Sequence, residues 1–186
     1  NALAASQTWK KVPNIANQGK DNLEITNLLS LGNGKILITL PIAQTTFCDA
    51  FTFDGEEWNK IFENEYIKSL RLSEGKLIKI AYRSLNIYDL NNLVNGGEIY
   101  HLSDEWNPVH GIHLDINDAI IDSQDLWLAH QTKGLIRLKD YRNGTHNKSE
   151  HFPDGPKSNH IYSITASEDG KIYIAPGGKT IQNAPH

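Results

Sequence analysis

The chain has 186 residues and a formal charge of −4, with 39% hydrophobic and 22% charged residues. That composition is globular, is long enough to bury a sizeable core, and excludes a disordered or fibrous chain. The mild acidity argues against a large nucleic-acid surface, and the longest apolar run, Ile36 to Ala43, is too short for a bilayer and contains Pro41.

The opening Asn1-Ala2-Leu3-Ala4-Ala5 has neither a Met nor a basic segment, so it is not expected to be an intact signal peptide. Gln7-Thr8-Trp9-Lys10-Lys11-Val12 resembles Glu57-Trp58-Asn59-Lys60-Ile61 and reads as an outer β-strand. Pro13 to Asn22 reads as loop. Ile25 to Leu31, a turn at Gly32-Asn33-Gly34 and Lys35 to Ile38 then make a hairpin of β-branched and apolar residues. The same pattern returns three times. Ile67 to Leu72 turns at Ser73-Glu74-Gly75, Ile116 to Ile121 turns at Asp122-Ser123-Gln124, and Ile161 to Ala166 turns at Ser167-Glu168-Asp169-Gly170. The leading isoleucines are 42, 49 and 45 residues apart.

Third strands are expected at Phe51–Phe53, Leu85–Tyr88 and Leu135–Leu138. Fourth strands are expected at Trp58–Ile61, Glu98–Leu102 and Glu150–Phe152. Arg142 to Lys148 reads as loop, and no segment carries a helical stripe. A period of roughly 40–50 residues with about four short strands per unit is the signature of a β-propeller. The expected fold is therefore all-β: a partial β-propeller of about 3.5 to 4 four-stranded blades, forming one domain over 1–186. The blades fall at 23–62, 66–103, 114–152 and, in part, 159–180, with the strand 7–12 able to complete the last. The end blades of such a partial ring present apolar flat faces, which predicts a homodimer in which 7–12 of one chain adds to 161–180 of the other.

Several residues invite a functional reading. His110-Gly111-Ile112-His113 has the gap of a metal-ligand pair, but a zinc site needs three or four ligands and none is near in sequence. His110 and His113 are therefore expected as surface loop residues, with no metal and no cofactor. Cys48 has no base beside it in sequence and is expected to be packed. Asp54, Asp154 and Asp169 each precede Gly, as a tight turn requires, and are not expected to be catalytic acids. Trp127 lies between Leu126 and Leu128 and is expected in the core. Trp106, between Glu105 and Asn107 in a loop, is the tryptophan expected to meet a ligand. No nucleophile elbow, P-loop or dinucleotide fingerprint is present, and no catalytic residue is assigned.

Phe152-Pro153-Asp154-Gly155-Pro156, Ser158-Asn159, Tyr162-Ser163-Ile164 and Ala175-Pro176-Gly177-Gly178 resemble blades of the PorZ-type propellers of the type IX secretion system of Bacteroidetes. Leu126-Trp127-Leu128-Ala129 with Lys133 to Arg137 is similar to that family's preceding blade. Phe53 to Trp58 is a looser match, shared with two-component regulator propellers. The resemblance implies a non-enzymatic, extracytoplasmic protein of the cell surface or periplasm. Its implied partners are other secretion-system or surface proteins and an anionic lipopolysaccharide or glycan. Lys133, Arg137 and Arg142, with Lys139, are the nearest basic cluster for such a ligand. The alternative is the ligand-sensing propeller of a hybrid two-component regulator, which usually carries a Gly-Thr pair where this chain has Ala175-Pro176-Gly177-Gly178. A third reading, a propeller enzyme acting on polysaccharide, requires paired carboxylates at matching loops of several blades, and no such set aligns.

Overall fold

The computed structural model describes Ile15 and residues 24–82, 84–103, 115–143, 147–151, 160–167 and 169–176. Among the described residues, fourteen strands form three antiparallel four-stranded meanders and one two-stranded hairpin. Blade 1 comprises β1 (Asn27–Gly32), β2 (Lys35–Pro41), β3 (Cys48–Phe53) and β4 (Trp58–Glu65). Blade 2 comprises β5 (Ser69–Ser73), β6 (Lys76–Ile80), β7 (Ser84–Asp89) and β8 (Glu98–Ser103). Blade 3 comprises β9 (Ile116–Asp122), β10 (Asp125–His130), β11 (Gly134–Lys139) and β12 (Asn147–His151). Blade 4 contributes β13 (Ile161–Ala166) and β14 (Ile172–Pro176). The strand expected at 7–12 lies outside the described residues.

The first hairpin of each blade follows from its turn chemistry. Asn33-Gly34 and Glu74-Gly75 both take positive φ at the two central positions, the arrangement whose twist matches the flanking strands. The resulting registers place Asn27 opposite Thr39, Ser69 opposite Ile80, Asp118 opposite Ala129 and Ser163 opposite Ala175. These four residues therefore occupy equivalent positions on the four first strands.

Blades 2 and 3 bury both faces against their neighbours, and their middle strands read as near-continuous apolar runs. Leu37, Ala50 and Phe62 of blade 1 meet Leu70, Leu77 and Tyr88 of blade 2. The other face of blade 2, with Ile78, Ile80 and Ile87, packs on Ala119, Leu126, Leu128 and Ile136 of blade 3. Ile120, Ala129 and Leu135 then meet Ile161 and Ile164 of blade 4. The first strands of adjacent blades lie side by side, β1 by β5, β5 by β9 and β9 by β13. The all-β partial propeller read from the repeat is the observed fold.

Three sequence expectations are refined. β12 begins at Asn147, inside the stretch expected as loop, and a short 3-10 turn, Tyr141–Asn143, precedes it. A second 3-10 segment, Leu90–Asn95, follows β7; Asp89 caps its start by accepting the Asn91 N–H, and Gly96 ends it at φ 73°. Its Leu93 drops into the seam between blades 1 and 2. Trp127 packs against blade 4 but remains half-buried, because the two described strands of blade 4 cover only the inner part of the blade 3 face. Its indole Nε1 is buried without a hydrogen-bond partner.

Candidate functional site

Residues of all four first strands line the wall of one channel. At the end where β5, β9 and β13 begin, it opens into a cavity of about 600 Å3, lined on its polar side by Lys68, Arg71, Asn117, Asp118, Tyr162 and Ser163. Toward the hairpin turns it continues into a second cavity of about 450 Å3, and Arg71 and Leu72 line both.

Two polar rungs cross the channel wall. In the upper rung Lys68 Nζ donates to the Ile116 carbonyl at 2.7 Å and to Asn117 Oδ1 at 3.0 Å, while Asn117 Nδ2 donates to the Ile161 carbonyl at 2.8 Å. One rung thus ties the starts of β5, β9 and β13. In the lower rung Asp118, 7% exposed, is the hub. Its Oδ2 accepts from Arg71 Nη1 at 2.5 Å, from Ser163 Oγ at 2.8 Å and from the Ile164 N–H at 3.0 Å. Its Oδ1 accepts the Ala119 N–H at 2.9 Å. A buried carboxylate is tolerated only when paired and hydrogen-bonded, and four donors meet that need. Nearer the turns, Ser73 Oγ bonds both the N–H and the carbonyl of Ile121, and Glu74 accepts the Ser123 N–H.

The charges of this mouth do not cancel. Asp118 balances Arg71, but the described residues place no carboxylate in ion-pair contact with Lys68, whose ammonium rests on two neutral oxygens. Asp115 is close enough to be felt electrostatically, yet burial prevails and pushes the Lys68 ammonium below its ordinary range.

The basic residues expected from sequence lie elsewhere on blade 3. Arg137 donates through Nε to Asp125 at 2.7 Å, also pairs with it through Nη2, and lies 5.2 Å above the Trp127 ring. Lys133 sits in the β10–β11 turn, where its N–H and that of Thr132 bond Nδ1 of the buried His130. Arg142 lies beyond the other end of β11 and donates to the Tyr141 hydroxyl at 3.1 Å. Six strand residues, about 20 Å of chain, separate the Lys133 turn from the Arg142 turn, so the structure does not bring the three together. Trp106, His110 and His113 lie outside the described residues. Among the described residues no three His, Cys, Asp or Glu side chains gather as a metal set.

Cys48 is buried, its thiol donates to the Glu65 carbonyl, and burial pushes its pKa up, the opposite of an activated nucleophile. Asp54 and Asp169 do turn work. Asp54 accepts the N–H groups of Glu57 and Glu56, and Asp169 bonds Lys171 and Ser167, and these contacts hold both carboxyls below their ordinary range. Lys68 and Arg71 are the cations that sequence reasoning missed. The signal was present: Arg71, Asn117 and Asp118 are polar residues set into strands with apolar neighbours, and Lys68 directly precedes one.

Three four-stranded meanders and a further hairpin whose first strands line one channel define a β-propeller. No protein-family model matches the chain, and no curated protein matches it in sequence. Solved propellers do match. The extracellular domain of BT4673 from B. thetaiotaomicron, described as a hybrid two component system, is 18% identical over 84% of this chain and 19% of its own, with a TM-score of 0.52. PorZ of Porphyromonas gingivalis, a surface component of the type-IX secretion system, is 13% identical over 81% of this chain and 24% of its own, with a TM-score of 0.55. A luciferin-regenerating enzyme is 14% identical over 87% of this chain and 56% of its own, also with a TM-score of 0.55. The chain thus spans about a fifth to a quarter of the two bacterial chains and about half of the enzyme. The likeness to PorZ and to regulator propellers expected from sequence holds at the level of the fold. No helix of the described residues is long and apolar enough to cross a membrane.

Proposed function

We propose that this chain is a section of an extracytoplasmic β-propeller that binds and scaffolds rather than catalyses, a PorZ-like component of type IX secretion and cargo attachment. The observation that carries the reading is the state of Asp118. It is the one carboxylate lining the upper cavity among the described residues. A general base or nucleophile needs a lone pair within reach of substrate. Asp118 spends both oxygens on four donors of three neighbouring first strands, which is the work of a structural tie. A rigid frame whose connecting loops differ from blade to blade is where binding is usually placed. The ligand in this reading is an anionic surface glycolipid or glycan, the protein partners are other surface or secretion-system proteins, and neither nucleic acid nor a cofactor takes part.

The resemblance to BT4673 supports a second reading, a ligand-sensing propeller of a two-component regulator. The full gene separates the two: a membrane helix followed by a kinase marks the sensor, and a small terminal β-domain marks the secretion component. The test of the binding reading is to incubate the purified full-length protein with anionic lipopolysaccharide and with a panel of glycosides. Saturable binding without turnover is the expected result. Turnover that is lost in Asp118→Asn overturns it.

A further inference from the structure

We propose that the channel mouth is an oxyanion site, in which Lys68 and Arg71 together take one carboxylate or phosphate group of a small polar ligand. The inference rests on the binding reading above and names the ligand class of the same cavity. Lys68 has three N–H donors, two of them given to neutral oxygens, and no carboxylate partner among the described residues. Arg71 has five N–H donors in a planar fork, of which the bond from Nη1 to Asp118 is the contact on its own side of the channel. Arg71 lines both cavities and its side chain is 25% exposed, so the guanidinium is accessible from the channel.

The positions of the two cations are fixed before any ligand arrives. Asp118 orients the guanidinium, and Asn117 with the Ile116 carbonyl orients the ammonium. Such preorganisation removes much of the ordering cost of binding. Asp118 is paired with Arg71, and Asp115, whose charge reaches Lys68, forms no ion pair with it among the described residues. The net charge offered to a ligand by Lys68, Arg71 and Asp118 is therefore positive. Burial depresses the Lys68 ammonium, and an arriving anion relieves that penalty. The surroundings suit a small polar body behind the anionic group: Ser163 and Asn117 line the wall, and the Tyr162 ring, 62% exposed, forms one side. A volume of about 600 Å3 holds one small molecule.

The test uses one scaffold in three charge states: glucose, glucuronate and glucose 6-phosphate, each titrated calorimetrically into the full-length protein and its variants. Saturable one-to-one binding is expected for glucuronate, glucose 6-phosphate or both. Which acid binds distinguishes a carboxylate ligand from a phosphate ligand. Glucose is expected to bind at least tenfold more weakly, and the affinity for the acid to fall as salt rises. Lys68→Gln is expected to weaken the acid about tenfold, with a cooperative unfolding transition in the same variant showing that it remains folded. Arg71→Lys keeps the charge beside Asp118 and is expected to weaken the acid less than Lys68→Gln. Binding of glucose equal to that of both acids, or acid binding unchanged in a folded Lys68→Gln, overturns the oxyanion site and leaves the binding module standing. Absence of saturable binding by either acid also overturns the site. Chemical turnover of any of the three overturns the binding reading itself.

Discussion

Between blades 1 and 2 the seam is apolar across its depth and closes around one buried cation, whereas between blades 2 and 3 the apolar seam is capped along the channel by a hydrogen-bonded knot. In the first seam Lys79 lies 4.4 Å from the Phe62 ring centroid and 5.4 Å from that of Tyr88, and pairs with Glu65. Burial pushes its ammonium down, but Glu65 and the Tyr88 hydroxyl outweigh that and hold it above its ordinary value. In the second seam Arg71 and Ser73 of β5, with Lys68 just before it, reach β9, Glu74 in the following turn bonds Ser123 beyond β9, and Asn117 and Asp118 pass the connection on to β13. No such side-chain bond joins β1 to β5 among the described residues. The chain places its polar linkage where the channel wall lines an open cavity, and leaves the flank of blade 1 to hydrophobic burial.

The largest effect that sharpens this comparison is expected from Asp118→Ala. It leaves Arg71 without its counter-ion and the Ile164 N–H without its acceptor, and it should cost about 3–5 kcal/mol by denaturant unfolding. A loss within about 1 kcal/mol would make the knot an accessory rather than a tie. Next come two leucines at equivalent register, Leu70 opposite Lys79 and Leu28 opposite Ile38. Leu70 is 6% exposed in the seam, and Leu28 is 64% exposed on the open face of blade 1. Leu70→Ala should cost about 2–4 kcal/mol and Leu28→Ala within about 0.5 kcal/mol. Equal losses would mean that the face bearing Leu28 is covered in solution, as the expected homodimer requires.

Trp127→Ala should cost about 2 kcal/mol, less than the 3–5 kcal/mol of a fully buried tryptophan, because blade 4 covers only part of its ring. Lys79→Met should be within about 1 kcal/mol of neutral, since an apolar side chain can replace a buried cation and Glu65, 37% exposed, can return to water. The smallest effect is on acid stability. Burial alone raises the Asp125 carboxyl, but the Asp140 N–H and Arg137 outweigh it, and Lys148 lowers that of Glu150. Both folded values lie below the unfolded ones. Their contribution is thus present above about pH 4 and is lost as pH falls further, and Asp125→Asn should flatten that acid limb in a pH series of unfolding midpoints.

Most of the architecture was legible in the sequence, because Asn33-Gly34 and Glu74-Gly75 admit few backbone conformations and the leading isoleucines repeat with the blades. Ile116 and Ile161 are each 1% exposed, yet Ile25, at the same place in the repeat, is 51% exposed. Periodicity assigns a residue to a face, and only the neighbouring blade decides whether that face is covered. The site was less legible for a related reason. Lys133, Arg137 and Arg142 are close in sequence, but a strand extends about 3.3 Å per residue and alternates faces, so nearness along β11 separates them in space. Lys68 and Asn117 are 49 residues apart and meet because one blade places β5 beside β9. Reading the repeat across blades, position by position, brings Lys68, Asn117 and Tyr162 onto one level and Ser69, Asp118 and Ser163 onto the next.

Asp118 serves as a tie between first strands and holds Arg71 in place. A double-mutant cycle of Arg71→Gln and Asp118→Asn, read by denaturant unfolding, tests it most directly. The account predicts a coupling energy of about 1–3 kcal/mol, with the double mutant more stable than the two single losses added together. Additive losses, with no coupling between the two positions, would contradict it.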